Sequence, residues 1–340
     1  MSKEELMLCD NGKESLLDSP LYAAELKADG TYIRAKKTDE IRIFGRPKRS
    51  GTPEYTDSLP DLIEALEVIP GTFEITGEAV VYNEQGRTWF EGSQRRCSTE
   101  DKAKIEIYKR KYPIMLLTFD VTELNGRDLT GHTYEARKQI LFDLLKESPQ
   151  ERVQYLPHVV ENKRDFYDEV TERGEEGVIL KRLNSTYERK RSKSWLKVKN
   201  WHDERLKVVG FTEGKPGGKR DGLFGSLVLA KLVDGNLVYR GKVGSGFSDA
   251  EVRKVYQMLS EHKTDVMSVR APDSYHPVDM SLEVTVKFQE ETKNKVLRMP
   301  SLKKDSRKRN MIHYDETTIE PTSEGRVVQS NLKAMLKRMK

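Results

Sequence analysis

Cysteine is scarce in this chain. Only Cys9 and Cys97 occur among its 340 residues. Two cysteines are too few for a disulfide framework or for a four-cysteine zinc site. This usage is typical of a protein from a reducing compartment.

Long apolar runs are also missing. The sequence has no run of about 18 apolar residues, the length that a membrane-spanning helix requires. Its start, MSKEELMLCD, lacks the positive-then-apolar order of a secretory signal. We therefore expect no membrane partner and a place in the cytoplasm.

Charge, in contrast, is abundant and unevenly distributed. Charged residues make up 34% of the chain, and the net charge is +5. Six Lys or Arg residues stand against one Glu in 187–199, YERKRSKSWLKVK, and eight stand against Asp305 in 293–309, KNKVLRMPSLKKDSRKR. Such blocks form either a solvated face or a track for a polyanion, and Trp195 beside the first block favours nucleic acid.

The length suits two domains, and the composition changes near residue 200. Upstream, β-branched and aromatic runs predict strands and apolar residues at three- and four-residue spacing predict helices, so we expect an α+β domain over 1–200. The predicted strands are 41–44, 73–82 and 112–121, and the predicted helices are 61–69 and 134–148.

Downstream of residue 200, strand-like runs alternate with Asp-Gly and Gly-rich turns. This pattern predicts an all-β domain over 201–310, a small Greek-key barrel of the OB type, a fold that binds nucleic-acid strands on one face. The predicted strands are 206–211, 225–233, 236–243 and 281–288, with a helix at 248–262 and a flexible loop at 214–222. A basic tail, 311–340, follows and ends in a pattern typical of a short amphipathic helix.

Several scattered charged residues have positions that suit chemistry. Lys27 in AELKADGTYIRA stands where a predicted strand meets an Asp-Gly turn, Glu78 lies within a predicted strand, and Glu176 begins EGVILK. Lys197 and Lys199 alternate in SWLKVK and therefore project from one strand face. Taken alone, each of these residues is more often a solvated side chain, and Lys27 alone is more often a surface lysine at a strand edge.

Taken in order, these stretches resemble the ATP-dependent DNA ligases, a family of covalent lysine nucleotidyltransferases related to RNA ligases and mRNA capping enzymes. LKADG resembles the nucleophile motif, most closely that of some phage enzymes. IFGRP, GEAVV, TFDV, EGVILK and LKVK resemble the motifs that follow, and LRMPSLKK at 297–304 resembles the last one, with Leu302 in place of an aromatic residue. The resemblance implies an α+β nucleotidyltransferase domain followed by an all-β OB-fold domain.

The resemblance also implies a reaction and its cofactors. Lys27 would accept AMP from ATP, pass it to a DNA 5′-phosphate, and let a 3′-hydroxyl displace AMP to seal the nick. Mg²⁺, or another divalent cation such as Mn²⁺, would bind Glu78 and Glu176, and Phe119 would stack on adenine. The residues implied to bind the nucleotide are Glu25, Lys27, Asp29, Arg34, Arg46, Glu78, Phe119, Glu176, Lys197, Lys199 and Arg298.

The nucleophile must lose its charge before it reacts. With a reference pKa of about 10.4, about one lysine in 2,500 is neutral at pH 7, a cost of about 4.6 kcal/mol. Lys197, Lys199 and a bound metal would each lower this cost for Lys27.

One departure from the family pattern concerns the second residue after Gly30, where many relatives have arginine and this chain has Tyr32. Arg34 lies two positions further on, on the same strand face and displaced by about 6.6 Å. Either Arg34 or the hydroxyl of Tyr32 would supply the missing contact.

The resemblance implies nicked duplex DNA and ATP as partners of a compact, monomeric ligase used in DNA replication, repair and recombination. The chain has room for a catalytic and an OB domain but not for a large helical DNA-binding domain, and it lacks the zinc-finger cysteines of NAD-dependent ligases. Loops at 214–222 and 87–111 would help to surround the DNA. An RNA ligase or capping-type enzyme, and a nucleic-acid-binding protein without catalysis, are the alternatives.

Overall fold

The chain divides between Asn200 and Trp201 into two compact units. The structure is a computed structural model, and it describes residues 6–279, 282–292, 294–304 and 312–314. Among the helices of these residues, none is both long and apolar enough to cross a membrane.

The first unit contains both strands and helices. Its strands are β1 Leu8–Asn11, β2 Tyr22–Leu26, β3 Thr31–Lys37, β4 Ile41–Phe44, β5 Phe73–Val80, β6 Met115–Leu124, β7 Arg127–Asp128, β8 Val153–Tyr155, β9 His158–Val159, β10 Gly177–Arg182 and β11 Arg191–Lys199. Its α-helices are α1 Pro60–Glu67, α2 Phe90–Cys97, α3 Lys102–Lys111, α4 Tyr134–Glu147 and α5 Lys163–Glu172.

These strands form two sheets. Sheet A has the order β1-β11-β10-β2-β9, and sheet B has the order β4-β3-β5-β6-β7, with β8 also paired to β6. Alternation along the strands buries one face of sheet B, where Ile33, Ala35 and Ile75 join a core with α1 and α4. A separate core lies between sheet A and α5 and includes Ala24 and Val178 of the sheet. The chain crosses from sheet A to sheet B between β2 and β3, through residues 27–30.

The second unit is built on one sheet. Its elements are β12 His202–Glu213, β13 Phe224–Val233, β14 Asn236–Val243, α6 Asp249–Glu261, β15 His276–Pro277, β16 Leu282–Phe288, β17 Ser301–Leu302 and β18 Ile312–Tyr314. The sheet has the order β14-β13-β12-β16-β17, with β15 on β12 and β18 on β16. Helix α6 begins with a capping box formed by Ser248 and Glu251 and packs Val252, Val255 and Leu259 into the core of this sheet.

Most predicted elements lie where the sequence pattern put them. The strands at 41–44 and 236–243 have the predicted bounds, whereas the strand predicted at 112–121 is shifted to β6, Met115–Leu124. The amphipathic helix predicted at the end of the tail lies outside the described residues.

The prediction of a loop over 87–111 was wrong. This stretch forms α2 and α3, joined by a short connection. Asp101 caps α3 by accepting a hydrogen bond from the backbone N–H of Lys104. The abundance of Lys and Arg concealed the helix, because α3 buries Ile105 while leaving its basic residues on the outside.

Candidate active site

A cavity of about 240 Å³ opens in the first unit between sheets A and B. Its walls carry more positive than negative side chains. The cations are Lys27, Arg46, Lys181, Arg191, Lys197 and Lys199; the carboxylates are Glu25 and Glu78; the aromatic side chains are Tyr32, Phe119 and Trp195. Such a surplus of cations suits a polyphosphate ligand.

Lys27 stands at the point where the chain leaves sheet A. Its backbone N–H donates to the carbonyl of Gly177, 2.9 Å away, which extends the pairing of β2 with β10 by one residue. Three residues later Gly30 meets sheet B so closely that a Cβ atom there would lie 2.4 Å from the carbonyl oxygen of Ala79. The glycine of KADG is therefore required by packing.

The ammonium of Lys27 pairs with the carboxylate of Glu176, and the other oxygen of that carboxylate lies 3.1 Å from Lys199 Nζ. Burial by itself would raise the pKa of Glu176, but Lys27 and Lys199 outweigh burial and hold the pKa below its ordinary value. Glu176 is therefore ionised and bridges the two lysines, which lie 149 and 23 residues away from it in sequence.

Glu78 faces the same cavity from β5. Burial raises the pKa of Glu78 to about 7, although Lys27 and Arg46 lower it, and Glu176 and Asp29 raise it further. The structure thus brings together the two carboxylates that the sequence assigned to a metal. Among the described residues, no group of three or more His, Cys, Asp or Glu side chains has the arrangement of a complete metal site.

Lys197 lies on β11 two residues before Lys199, on the same face. Its pKa is lowered by burial first and then by Lys199, Arg191 and other neighbouring cations. Neighbouring cations therefore disfavour the charge of Lys197.

The other end of the cavity is aromatic. Phe119 lies edge-on to Trp195, with their ring centroids 6.0 Å apart, and 6.4 Å from the ring of Tyr32. The ammonium of Lys181 lies 4.3 Å from the Phe119 centroid and 4.2 Å from that of Trp195. Lys181 was missed as a site residue in the sequence, although it is the last residue of the EGVILK stretch.

Glu25 lies on this cavity wall with its carboxylate occupied by protein donors. Lys138 Nζ lies 2.9 Å and Lys181 Nζ 2.7 Å from its oxygens, and the hydroxyl of Tyr134 donates to it at 2.8 Å. Burial acts to raise the pKa of Glu25, and the two lysines reverse this and lower it. Lys138 and Tyr134 come from α4, where nothing in an amphipathic helix pattern distinguishes them from ordinary helix residues.

Tyr32 and Arg34 share one face of β3, but only Tyr32 reaches the cavity. The hydroxyl of Tyr32 is buried without a hydrogen-bond partner among the described residues, and the Arg46 guanidinium lies 5.4 Å from its ring centroid. Arg34 is 6% exposed, and its guanidinium lies 3.9 Å from the carboxylate of Glu74. Arg34 does not line the cavity, and a contact between Arg34 and the nucleotide stays a prediction.

Asp29 and Arg298 are the remaining predicted residues. Asp29 lies on the crossover next to Gly30, and its backbone N–H donates to Thr88 Oγ1 at 2.9 Å. Arg298 belongs to the second unit, where it pairs with the carboxylate of Glu290. Lys303, from the same stretch, pairs with Asp203. A contact between Arg298 and the pyrophosphate of ATP stays a prediction.

Comparison with known families decides what this site belongs to. A family model described as "ATP dependent DNA ligase domain" matches residues 7–199, and a second, "ATP dependent DNA ligase C terminal region", matches residues 220–309. The chain belongs to the ATP-dependent DNA ligase family. The family predicted from the ordered motifs is confirmed.

Curated relatives of this ligase family member carry related names. DNA ligase 1 of Methanosarcina acetivorans is 33% identical over 261 residues, which cover 71% of this chain and 44% of the relative. The DNA ligase of Thermococcus fumicolans is 31% identical over 300 residues, covering 84% of this chain and 51% of the relative. The chain thus spans about half the length of these relatives.

Solved structures of ligases share the fold of this chain. A Lig E DNA ligase aligns with a TM-score of 0.60 at 22% identity, covering 87% of this chain and 96% of that one. The structure named Pmar-Lig_PreS3 aligns with a TM-score of 0.64 at 19% identity, covering 88% of this chain and 67% of that one. The predicted fold, an α+β nucleotidyltransferase domain followed by an all-β OB-fold domain, is confirmed.

Proposed function

We propose that this chain is an ATP-dependent DNA ligase that seals a nick between a 3′-hydroxyl and a 5′-phosphate through a covalent Lys27–AMP intermediate. Nicked duplex DNA and ATP are its partners, and it works as a monomer. The observation that carries the proposal is the position of Lys27. It lines a cavity whose walls carry cationic and aromatic side chains, and it pairs with Glu176.

In the first step the Lys27 amine attacks the α-phosphorus of ATP. A phosphorus–nitrogen bond forms while the bond to pyrophosphate breaks, so pyrophosphate leaves with the electron pair of that bond. Lys27 must first release a proton, because only the neutral amine has the free electron pair that attacks phosphorus.

The cavity has separate places for the base and the phosphates. Phe119 offers a ring face for adenine, and base–aromatic stacking contributes about 1–3 kcal/mol. Arg46, Lys197 and Lys199 carry the donors and positive charge that phosphate oxygens require. We assign the ribose contact to Tyr32, whose ring centroid lies 5.4 Å from the Arg46 guanidinium and 6.4 Å from the Phe119 centroid. Its buried hydroxyl has no hydrogen-bond partner among the described residues.

The residues present also fit a divalent cation. Glu78 and Glu176 provide hard carboxylate oxygens, and Mg²⁺ commonly takes one or two carboxylates together with waters and phosphate oxygens, so a complete protein cage is not needed. When bound, Mg²⁺ or Mn²⁺ neutralises charge on the transferring phosphoryl group.

Incubation with labelled ATP and Mg²⁺, followed by denaturing electrophoresis, tests the nucleophile. We expect an AMP adduct in the wild-type protein and in Lys102→Ala, which changes an exposed lysine of α3, but none in Lys27→Ala. An adduct that persists in Lys27→Ala would refute the assignment.

Nick sealing tests the substrate. Nicked DNA, nicked RNA and an RNA–DNA hybrid are each offered with ATP or GTP. Sealing of nicked DNA with ATP is expected. Efficient sealing of RNA alone, or use of GTP alone, would favour an RNA ligase or a capping-type enzyme instead.

A further inference from the structure

The crossover at residues 27–30, called the turn below, carries the proposed nucleophile and contacts both sheets of the first unit. Lys27 is held to sheet A by its backbone hydrogen bond to Gly177, and Gly30 packs against Ala79 of sheet B. Between them, the backbone N–H of Asp29 donates to Thr88 Oγ1 at 2.9 Å. We propose that Thr88 and Glu175 are positioning residues that fix this turn for adenylylation, an inference that rests on the proposed role of Lys27.

The polarity of the hydrogen bonds gives each of the two residues a defined task. A threonine hydroxyl has one proton to donate and can accept through its lone pairs. Here the proton goes to Glu175 Oε2, 2.6 Å away, so a lone pair remains for the N–H of Asp29. The other Glu175 oxygen accepts the backbone N–H of Thr88 at 3.2 Å. Glu175 therefore keeps the hydroxyl oriented as an acceptor toward the turn.

Thr88 and Glu175 lie next to different sheets. Thr88 ends a small hairpin that continues β5, in which Asn83 N–H donates to Arg87 O and Trp89 N–H donates to Val81 O, both at 2.9 Å. Glu175 directly precedes Glu176 and β10 of sheet A. The hydrogen bonds between Thr88 and Glu175 thus connect the two sheets next to the crossover. Thr88 contacts the crossover at Asp29, two residues after Lys27.

The neighbouring carboxylates Glu175 and Glu176 have different partners. Glu176 contacts Lys27 and Lys199, whereas Glu175 contacts Thr88. Thr88 is 7% exposed, which shields its hydrogen bonds from exchange with water. Glu175 and Thr88 act on the reaction only through the backbone of the turn.

Three substitutions test the role of the Thr88 hydroxyl separately from the role of side-chain shape. Thr88→Val keeps the branched shape and removes the acceptor, while Thr88→Ser keeps the hydroxyl and removes a methyl group. Glu175→Gln replaces one carboxylate oxygen by an NH₂ group, which must then face either the Thr88 hydroxyl proton or the Thr88 N–H.

The first readout is the single-turnover rate of AMP adduct formation, measured over a range of ATP concentrations. Displacement of a reacting group by about 1 Å costs about 100-fold in rate. We expect Thr88→Val and Glu175→Gln to slow the maximal rate by about 10- to 100-fold, with the half-saturating ATP concentration changed by less than about 3-fold. Thr88→Ser should restore the rate to within about 3-fold of wild type. A wild-type rate in Thr88→Val, or a serine variant as slow as the valine variant, would overturn the proposal.

The second readout is hydrogen exchange at the Asp29 amide, which does not depend on activity. Exchange should be faster in Thr88→Val than in the wild type and in Thr88→Ser, while amides of β16 in the second unit keep their protection. If the Asp29 amide exchanges as slowly in Thr88→Val as in the wild type, the inference is contradicted, whatever the rate of adduct formation. If the wild-type protein forms no adduct but exchange behaves as expected, the proposed function fails and the role of the pair in holding the turn stands.

Discussion

Replacing Gly30 by alanine tests the requirement for close packing at the turn. The added Cβ would lie 2.4 Å from the carbonyl oxygen of Ala79, 2.9 Å from Glu78 Cγ and 3.0 Å from a Val80 methyl carbon. The nearest of these atoms belongs to the backbone of a central strand of sheet B, which cannot move aside as a flexible side chain can. The turn must therefore move instead.

The size of the effect follows from this geometry. Ordinary contact begins at 3.4 Å, so the turn and β5 must separate by about 1.0 Å. Overpacking of this kind costs about 1–3 kcal/mol of stability. A shift of about 1 Å at a reacting group costs about 100-fold in rate, equivalent to about 2.7 kcal/mol in the barrier. Adenylylation should therefore suffer even where the protein remains folded.

The assay combines urea unfolding with single-turnover AMP adduct formation. Gly131→Ala is the matched control, because a Cβ at Gly131 has nothing within 4 Å and its backbone lies outside the left-handed region. We expect the Gly131 variant to keep wild-type kinetics and stability. The reasoning is refuted if Gly30→Ala forms the adduct at the wild-type rate and unfolds at the same urea concentration.

Three further substitutions probe the cavity wall. Glu25→Gln removes the counter-charge of the buried ammonium groups of Lys138 and Lys181 and should reduce the unfolding free energy by about 3–5 kcal/mol, measured by urea denaturation; a loss below about 1 kcal/mol contradicts the buried pairing. Tyr32→Phe removes one hydrogen-bonding group worth about 0.5–1.5 kcal/mol and should weaken ATP binding about 2- to 12-fold in calorimetry, whereas unchanged affinity would exclude a ribose contact. Phe119→Leu keeps an apolar side chain without a ring and should raise the ATP dissociation constant at least about 5-fold by equilibrium binding, unless adenine lies elsewhere.

Where the signal was local, the sequence indicated residues that the structure places at the cavity. Lys27, Asp29 and Gly30 are adjacent, and the Lys197–Lys199 alternation places two cations on one face of β11. Strand alternation also made Tyr32 and Arg34 equal candidates, because a period of two cannot show where along a strand the cavity ends. In the structure Tyr32 lines the cavity and Arg34 does not.

Contacts between distant parts of the chain were beyond the reach of these patterns. Lys181 lies 62 residues from Phe119 and Glu175 lies 87 residues from Thr88, and each pair meets only because two sheets face each other. Likewise, Lys138 and Tyr134 look like ordinary residues of an amphipathic helix until α4 packs beside Glu25.

The sequence by itself determined the family, the order of the two domains and the identity of a lysine in a glycine turn, since these depend on residue type and spacing along the chain. Only the tertiary structure decided that Glu176 bridges Lys27 and Lys199, that Tyr32 lines the cavity in place of Arg34, and that Thr88 reaches the turn. Those contacts depend on the approach of two separately hydrogen-bonded sheets, and the crossover at residues 27–30 is where that approach brings these residues together.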